Sequence, residues 1–74
     1  MGQFPSITGS QLIHALRKIG FETARSKGSH HRLVHPDGRK TTIPVHGKET
    51  LGPGLLLKIL RDVEITRENL LLLL

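Results

Sequence analysis

The stretch Lys27–Val45, KGSHHRLVHPDGRKTTIPV, decides how this chain folds. At its centre, His35-Pro36-Asp37-Gly38-Arg39 signals a turn through three separate effects. Proline presets φ, the aspartate side chain bonds the backbone ahead of it, and glycine takes the left-handed position. The segments on either side have strand chemistry: Ser29–His35 before the turn and Lys40–Val45 after it, the latter with β-branched Thr41, Thr42, Ile43 and Val45. Pro44 removes a ladder donor and marks its strand as an edge. Neighbouring strand residues point to opposite faces. With Ile43, Val45 and Leu33 turned to a core, His31 and His35 share Leu33's side, and His30, Arg32 and Val34 face outward.

Working upstream, Lys27-Gly28 is a second turn and Phe21–Arg25 a first strand, with Phe21, Thr23 and Arg25 on one side. Strands joined by such short turns form an antiparallel meander. Before them, Thr8-Gly9-Ser10-Gln11 matches a capping box and opens a helix over Thr8–Ile19. Leu12, Ala15, Leu16 and Ile19 form its apolar face, and Gly20 then Phe21 its stop. Downstream, Gly52-Pro53-Gly54 opens a second helix with Leu55, Leu56, Ile59, Leu60 and Val63 as its stripe. Thr66 caps a last short helix, Arg67–Leu73. The expected fold class is α+β: an α-β-β-β-α two-layer sandwich, its three-stranded antiparallel sheet carrying helices on one face, plus a short C-terminal helix. The five leucines of Leu70–Leu74 suit packing on the body of the domain or burial in a partner.

Composition narrows the function. Seventy-four residues allow one domain, taken as 1–74. There is no cysteine, which excludes disulfides and thiolate metal sites and fits a cytoplasmic protein. Met1–Ser6 lacks the basic-then-apolar pattern of a signal peptide. The longest apolar run, Leu70–Leu74, falls far short of the roughly 18 residues a membrane span needs. Phe4 and Phe21 are the only aromatics, too few for base-stacking platforms. The net charge is +5, and its placement is informative. Between Arg25 and Lys48 lie six basic residues against one acid, Asp37, while bases and acids balance elsewhere. A field concentrated on the sheet and its turns attracts polyanions such as a phosphate backbone.

A histidine beside an arginine on such a face can serve RNA cleavage. RNA carries its own nucleophile, the 2′-OH; an imidazole can take that proton or protonate the leaving 5′-oxygen. On this reading His30 is the catalytic group. Arg25, Lys27 and Arg32 meet the phosphate, with His31, Arg39 and Lys40 as further RNA contacts. Gly28 admits a close backbone approach and Ser29 donates to a phosphate oxygen. No metal or cofactor is expected: His31 and His35 lie about 13 Å apart along a strand, and no HExxH motif is present. His14 falls off the apolar face of the first helix and reads as solvated. His46 bounds the basic face or satisfies a backbone carbonyl.

These residues form an ordered set. Ile7-Thr8-Gly9, Leu12-Ile13 and Ile19-Gly20-Phe21 come first, then Lys27-Gly28-Ser29-His30-His31 and His35-Pro36-Asp37-Gly38-Arg39. Thr42-Ile43-Pro44-Val45-His46, Leu51-Gly52-Pro53-Gly54 and Lys58-Ile59-Leu60-Arg61 follow. Over nearly its whole length the chain resembles the HicA toxins, the mRNA interferases of bacterial HicA–HicB toxin–antitoxin pairs. The resemblance implies a dsRBD-like fold (that of double-stranded-RNA-binding domains), a catalytic histidine in the Gly-Ser-His motif, cleavage of mRNA, and a HicB antitoxin that masks the site. Gly28, Ser29 and His30 match the motif directly. The doubled histidine offers His31 as an alternative, and the strand register favours His30. Two rival functions stand beside the enzyme: a non-catalytic RNA-binding module, and an interaction protein that meets only another protein.

Overall fold

The computed structural model describes residues 6–74. The reading of Met1–Ser6 as lacking a leader, and Phe4 with it, therefore lies largely outside the described residues. The elements are α1 (Gly9–Arg17), β1 (Glu22–Lys27), β2 (His30–Val34), β3 (Lys40–Pro44), α2 (Pro53–Val63) and α3 (Arg67–Leu73). The strands form one antiparallel sheet in the order β1-β2-β3, so the α+β architecture is as expected. Among the described residues no helix is long and apolar enough to cross a membrane.

The capping box sets the start of α1. The Thr8 hydroxyl accepts the Gln11 N–H at 3.1 Å, and the Gln11 side-chain oxygen accepts the Thr8 N–H at 2.8 Å. The helix stops at Arg17, two residues before Ile19, because the chain already unwinds towards Gly20 at φ 103°. Phe21 N–H then donates to Leu16 O at 3.2 Å, which closes the helix end and buries the Phe21 ring. At the other end, Gly9 lies so close to β3 that a Cβ there would overlap the Pro44 carbonyl. The loop ahead of α2 is tied to the segment before α1 by a Thr8–Thr50 bridge and by Leu51 N–H donating to Ile7 O at 2.8 Å.

Leu33, Thr41 and Ile43 are buried under the helices, while His30 and Arg32 are exposed on the opposite face. The β2–β3 register pairs Arg32 with Thr42 and His31 with Ile43, so the expected facing of β2 holds. β1 does not follow the simple alternation. Thr23 pairs with Leu33, but Arg25, not Ala24, pairs with Arg32. Ala24 is an extra residue, a β-bulge. Phe21, Thr23 and Arg25 therefore do not share a side: the bulge rotates Arg25 away from Thr23 and onto the open face. The strands also differ slightly in extent from the expected ones. β1 begins at Glu22 and runs to Lys27, and β2 starts at His30 because Gly28 and Ser29 make the turn.

α2 opens at Pro53 and buries Leu56, Ile59, Leu60 and Val63. Leu55, expected in that stripe, is exposed, one step outside the buried arc. The buried Thr41 hydroxyl donates to Asp62 Oδ2 at 2.9 Å and so ties β3 to α2. α3 is capped by the Thr66 hydroxyl, which accepts the Asn69 N–H at 3.1 Å. Leu70 is fully buried, Leu73 packs against the core, and Leu71, Leu72 and Leu74 are exposed. Lys18 Nζ donates to Leu73 O at 2.7 Å and fixes the far end of α3 to α1.

Candidate functional site

The open face carries a depression of about 530 Å³ lined by Ala24, Arg25, Lys27, His30, Arg32 and Thr42. Each lining residue is placed by the ladder. Lys27 faces His30 across the β1–β2 pair, and Arg25 faces Arg32 next to it. Thr42 faces Arg32 from β3, and its hydroxyl accepts from Arg32 Nη1 at 3.2 Å. No carboxylate lines this depression. Two guanidiniums set directly opposite one another repel, at a typical cost of a few tenths to about 1 kcal/mol. An anion seated between them relieves that cost.

The other sequence-predicted residues distribute as follows. Gly28, at φ 59°, and Ser29 form the hairpin tip beside His30, and Ser29 O accepts the Val45 N–H at 2.7 Å. Lys40 pairs with Val34 at the far end of the same face. His31 lies on the helix side, half-buried, with Nδ1 3.1 Å from the Ser26 hydroxyl. It lines a separate cleft of about 290 Å³ with Ser10, Ile13, His14, Arg17, Thr23 and Val45. Arg39 is not brought to His30. Its Nη1 donates to Val63 O at 2.6 Å, its Nε to Asp37 Oδ2 at 2.8 Å, and its guanidinium stacks 5.1 Å over the Phe21 ring. His35 is likewise engaged. Its Nε2 is 2.9 Å from Ile19 O, Asp37 N–H donates to Nδ1 at 3.1 Å, and its ring meets Phe21 edge-on at 5.0 Å.

Two carboxylates are held below their ordinary range. For Asp37 the principal cause is the Arg39 backbone N–H it accepts, aided by the Arg39 side chain and opposed by partial desolvation. For Asp62, burial pushes the carboxyl up, but the hydrogen bond from Thr41 and the nearby Lys58 ammonium, at 3.1 Å, together pull it further down. Both pairs serve the frame, and the Arg32 guanidinium of the open face also helps to hold the Asp62 carboxyl down. Among the described residues, no group of three His, Asp or Glu side chains could hold a metal ion.

Sequence reasoning missed Thr42 and Ala24. Thr42 could have been found from parity, since it alternates with the buried Thr41 and Ile43. Ala24 could not, because a bulge in ETARSK leaves no mark where no apolar residue fixes the phase. His14 and Arg17 also escaped, since only the docking of α1 beside β1 brings them to His31.

Residues 9–65 match the family profile of the HicA toxin of bacterial toxin–antitoxin systems. The curated proteins contain no match to the chain.

Proposed function

Since the chain belongs to the HicA toxin family, toxins of bacterial toxin–antitoxin systems, we propose that it is a metal-independent endoribonuclease acting on mRNA, with His30 as its general acid or base. The observation that carries this reading is the cluster of Arg25, Lys27, Arg32 and His30 in one depression free of carboxylates. A ribose-phosphate chain lying across the open face brings a phosphate to the two guanidiniums, and the neighbouring 2′-OH to His30. The imidazole takes the 2′ proton, O2′ attacks the adjacent phosphorus, and the P–O5′ bond breaks. The protonated ring, or water, returns a proton to the departing 5′-oxygen. Fragments then end in a 2′,3′-cyclic phosphate and begin with a free 5′-OH. Arg25, Lys27 and Arg32 neutralise charge as it builds on the phosphoryl oxygens. Gly28 and Ser29 shape the hairpin tip, and Lys40 extends the cationic track.

A second reading assigns the proton transfer to His31. The Ser26 hydroxyl beside Nδ1 orients that ring, whereas His30 has no such partner among the described residues. Purified wild type, His30→Ala and His31→Ala, incubated with end-labelled RNA, separate the readings. We expect His30→Ala to lose cleavage by roughly 10²–10⁴-fold with an unchanged far-ultraviolet spectrum. A folded, fully active His30→Ala protein would end the role given to His30, and loss in His31→Ala alone would transfer it there. Salt-sensitive binding without cleavage in all three proteins would favour a non-catalytic RNA-binding module.

The inhibitory partner in this reading is a HicB-type antitoxin. It presents an acidic surface to the Arg25–Lys48 window and covers the open face in the cytoplasm until released. Complex stability that does not fall as salt rises would contradict that contact.

A further inference from the structure

The cleft lined by His31 lies on the opposite side of β1 from the depression that holds His30 and shares no residue with it. It too lacks a carboxylate. His14 and Arg17 are three residues apart on α1 and so present neighbouring side chains. Arg17 spends one donor on the Thr23 hydroxyl at 3.2 Å, a small part of the five N–H groups a guanidinium carries. Ser26 beside Nδ1 of His31 leaves Nε2 for a ligand. Ser10 and Thr23 add hydroxyls to the same walls. A cation in the last turn of a helix has an ordinary explanation in the helix dipole, which accounts for Arg17 alone. It does not account for two imidazoles and two hydroxyls gathered around that guanidinium.

β1, the strand between the two depressions, is an edge strand whose outer side pairs with no other strand among the described residues. Nothing in the sheet therefore separates one depression from the other along that edge. We propose that the cleft framed by Ser10, His14, Arg17, Thr23 and His31 is a second phosphate subsite, taking a phosphate of the same RNA chain where it rounds β1 from the open face. The proposal rests on the ribonuclease reading, whose own contacts are Arg25, Lys27 and Arg32. The ligand chemistry is a phosphodiester, which the Arg17 guanidinium meets by charge-assisted hydrogen bonds and the two imidazoles by ring N–H donors.

The test uses the full chain and a short RNA methylated at every 2′-oxygen, which binds but cannot be cut. Affinity is read by fluorescence anisotropy across a salt series for wild type, the pair His14→Gln/Arg17→Gln, and the pair Arg25→Gln/Arg32→Gln. The α1 pair should bind about tenfold more weakly, with the log–log salt slope reduced by about 0.7 for each phosphate no longer neutralised. Wild-type affinity and slope in the α1 pair would overturn the subsite. If the Arg25/Arg32 pair alone is then weakened, the ribonuclease reading stands without it; if neither pair is weakened, both readings fall. Should the α1 pair not fold, wild-type protein is titrated with inorganic phosphate and with the methylated RNA while the His14 and His31 ring resonances are followed. Shifts of both rings with the RNA, at concentrations far below those needed with phosphate alone, support the subsite. Rings unmoved by the RNA, or moved only by phosphate at tens of millimolar, refute it.

Discussion

Replacing Arg39 by alanine separates a structural arginine from an RNA contact. The side chain does three things at once. Nη1 donates at 2.6 Å to Val63 O, a carbonyl at the end of α2 with no helical partner. Nε pairs with Asp37 at 2.8 Å, and the guanidinium stacks 5.1 Å over Phe21. A hydrogen bond from a charged donor contributes about 1.5–3 kcal/mol and a stacked cation about 0.5–1 kcal/mol, while the exposed pair with Asp37 is screened by solvent and adds little. Water reaches Val63 once the side chain is gone, and the three interactions share one group. The destabilisation therefore falls below their sum, at roughly 2–3 kcal/mol. A chain of this size has a total stability of roughly 4–11 kcal/mol, so the variant approaches the threshold of folding. At about 4–8 °C per kcal/mol, Tm should drop by roughly 10–20 °C in a calorimetric scan. Arg39→Lys should recover only part of it, because an ammonium cannot serve the carbonyl, the carboxylate and the ring together. Below the melting range, affinity for the 2′-O-methylated RNA should match wild type. A Tm unchanged within 2 °C (a threshold of about one third of a kcal/mol) together with tenfold weaker RNA binding would refute the reasoning and return Arg39 to the interface.

Further outcomes follow from the same set of interactions. Gly20→Ala should destabilise by roughly 2 kcal/mol, because the residue sits at φ 103° and a Cβ would come within 2.8 Å of His35 Nε2; a chemical melt reads it directly. Arg25→Glu should raise stability slightly, by about 0.5 kcal/mol, by placing a carboxylate opposite Arg32, while RNA affinity falls at least tenfold; a variant less stable than wild type contradicts the repulsion argued for the pair. Asp37 and Asp62 both titrate below their ordinary value in the folded state. Their stabilisation is complete above a pH of about 4 and is lost as pH falls through the depressed values. Asp62→Asn should flatten the acid limb of a stability–pH curve, and an unaltered limb counts against the Thr41–Asp62–Lys58 link.

Much of the frame was legible because local chemistry and tertiary demand agreed. Thr8 and Gln11 cap α1 as their spacing requires, and the Pro36-Asp37-Gly38 turn is closed by Asp37 accepting the Arg39 N–H at 3.0 Å. Leu33 and Ile43 fixed which side of the sheet is covered, and with it the exposure of His30 and Arg32. The phase of β1 was not legible. Its residues are nearly all exposed, so no buried side chain records where the alternation slips. Nor was the fate of Arg39, whose decisive partner Val63 lies 24 residues away. The α1–β1 cleft depends on how a helix docks, and sequence periodicity says which face is apolar but not what its rim will meet.

The insertion at Ala24 makes strand length a determinant of surface charge. Removing Ala24 itself would leave Arg25 opposite Arg32, but removing Ser26 instead would restore plain alternation between the Thr23–Leu33 and Lys27–His30 pairs and hand the Arg25 guanidinium to the helix side, emptying one wall of the open basin. Mutational scans that only substitute side chains would overlook this, since any small residue at position 24 preserves the offset. A single-codon deletion at Ser26 is thus the more severe lesion, and an arginine at position 24, one place farther from the hairpin tip, is the change that should rebuild the missing wall.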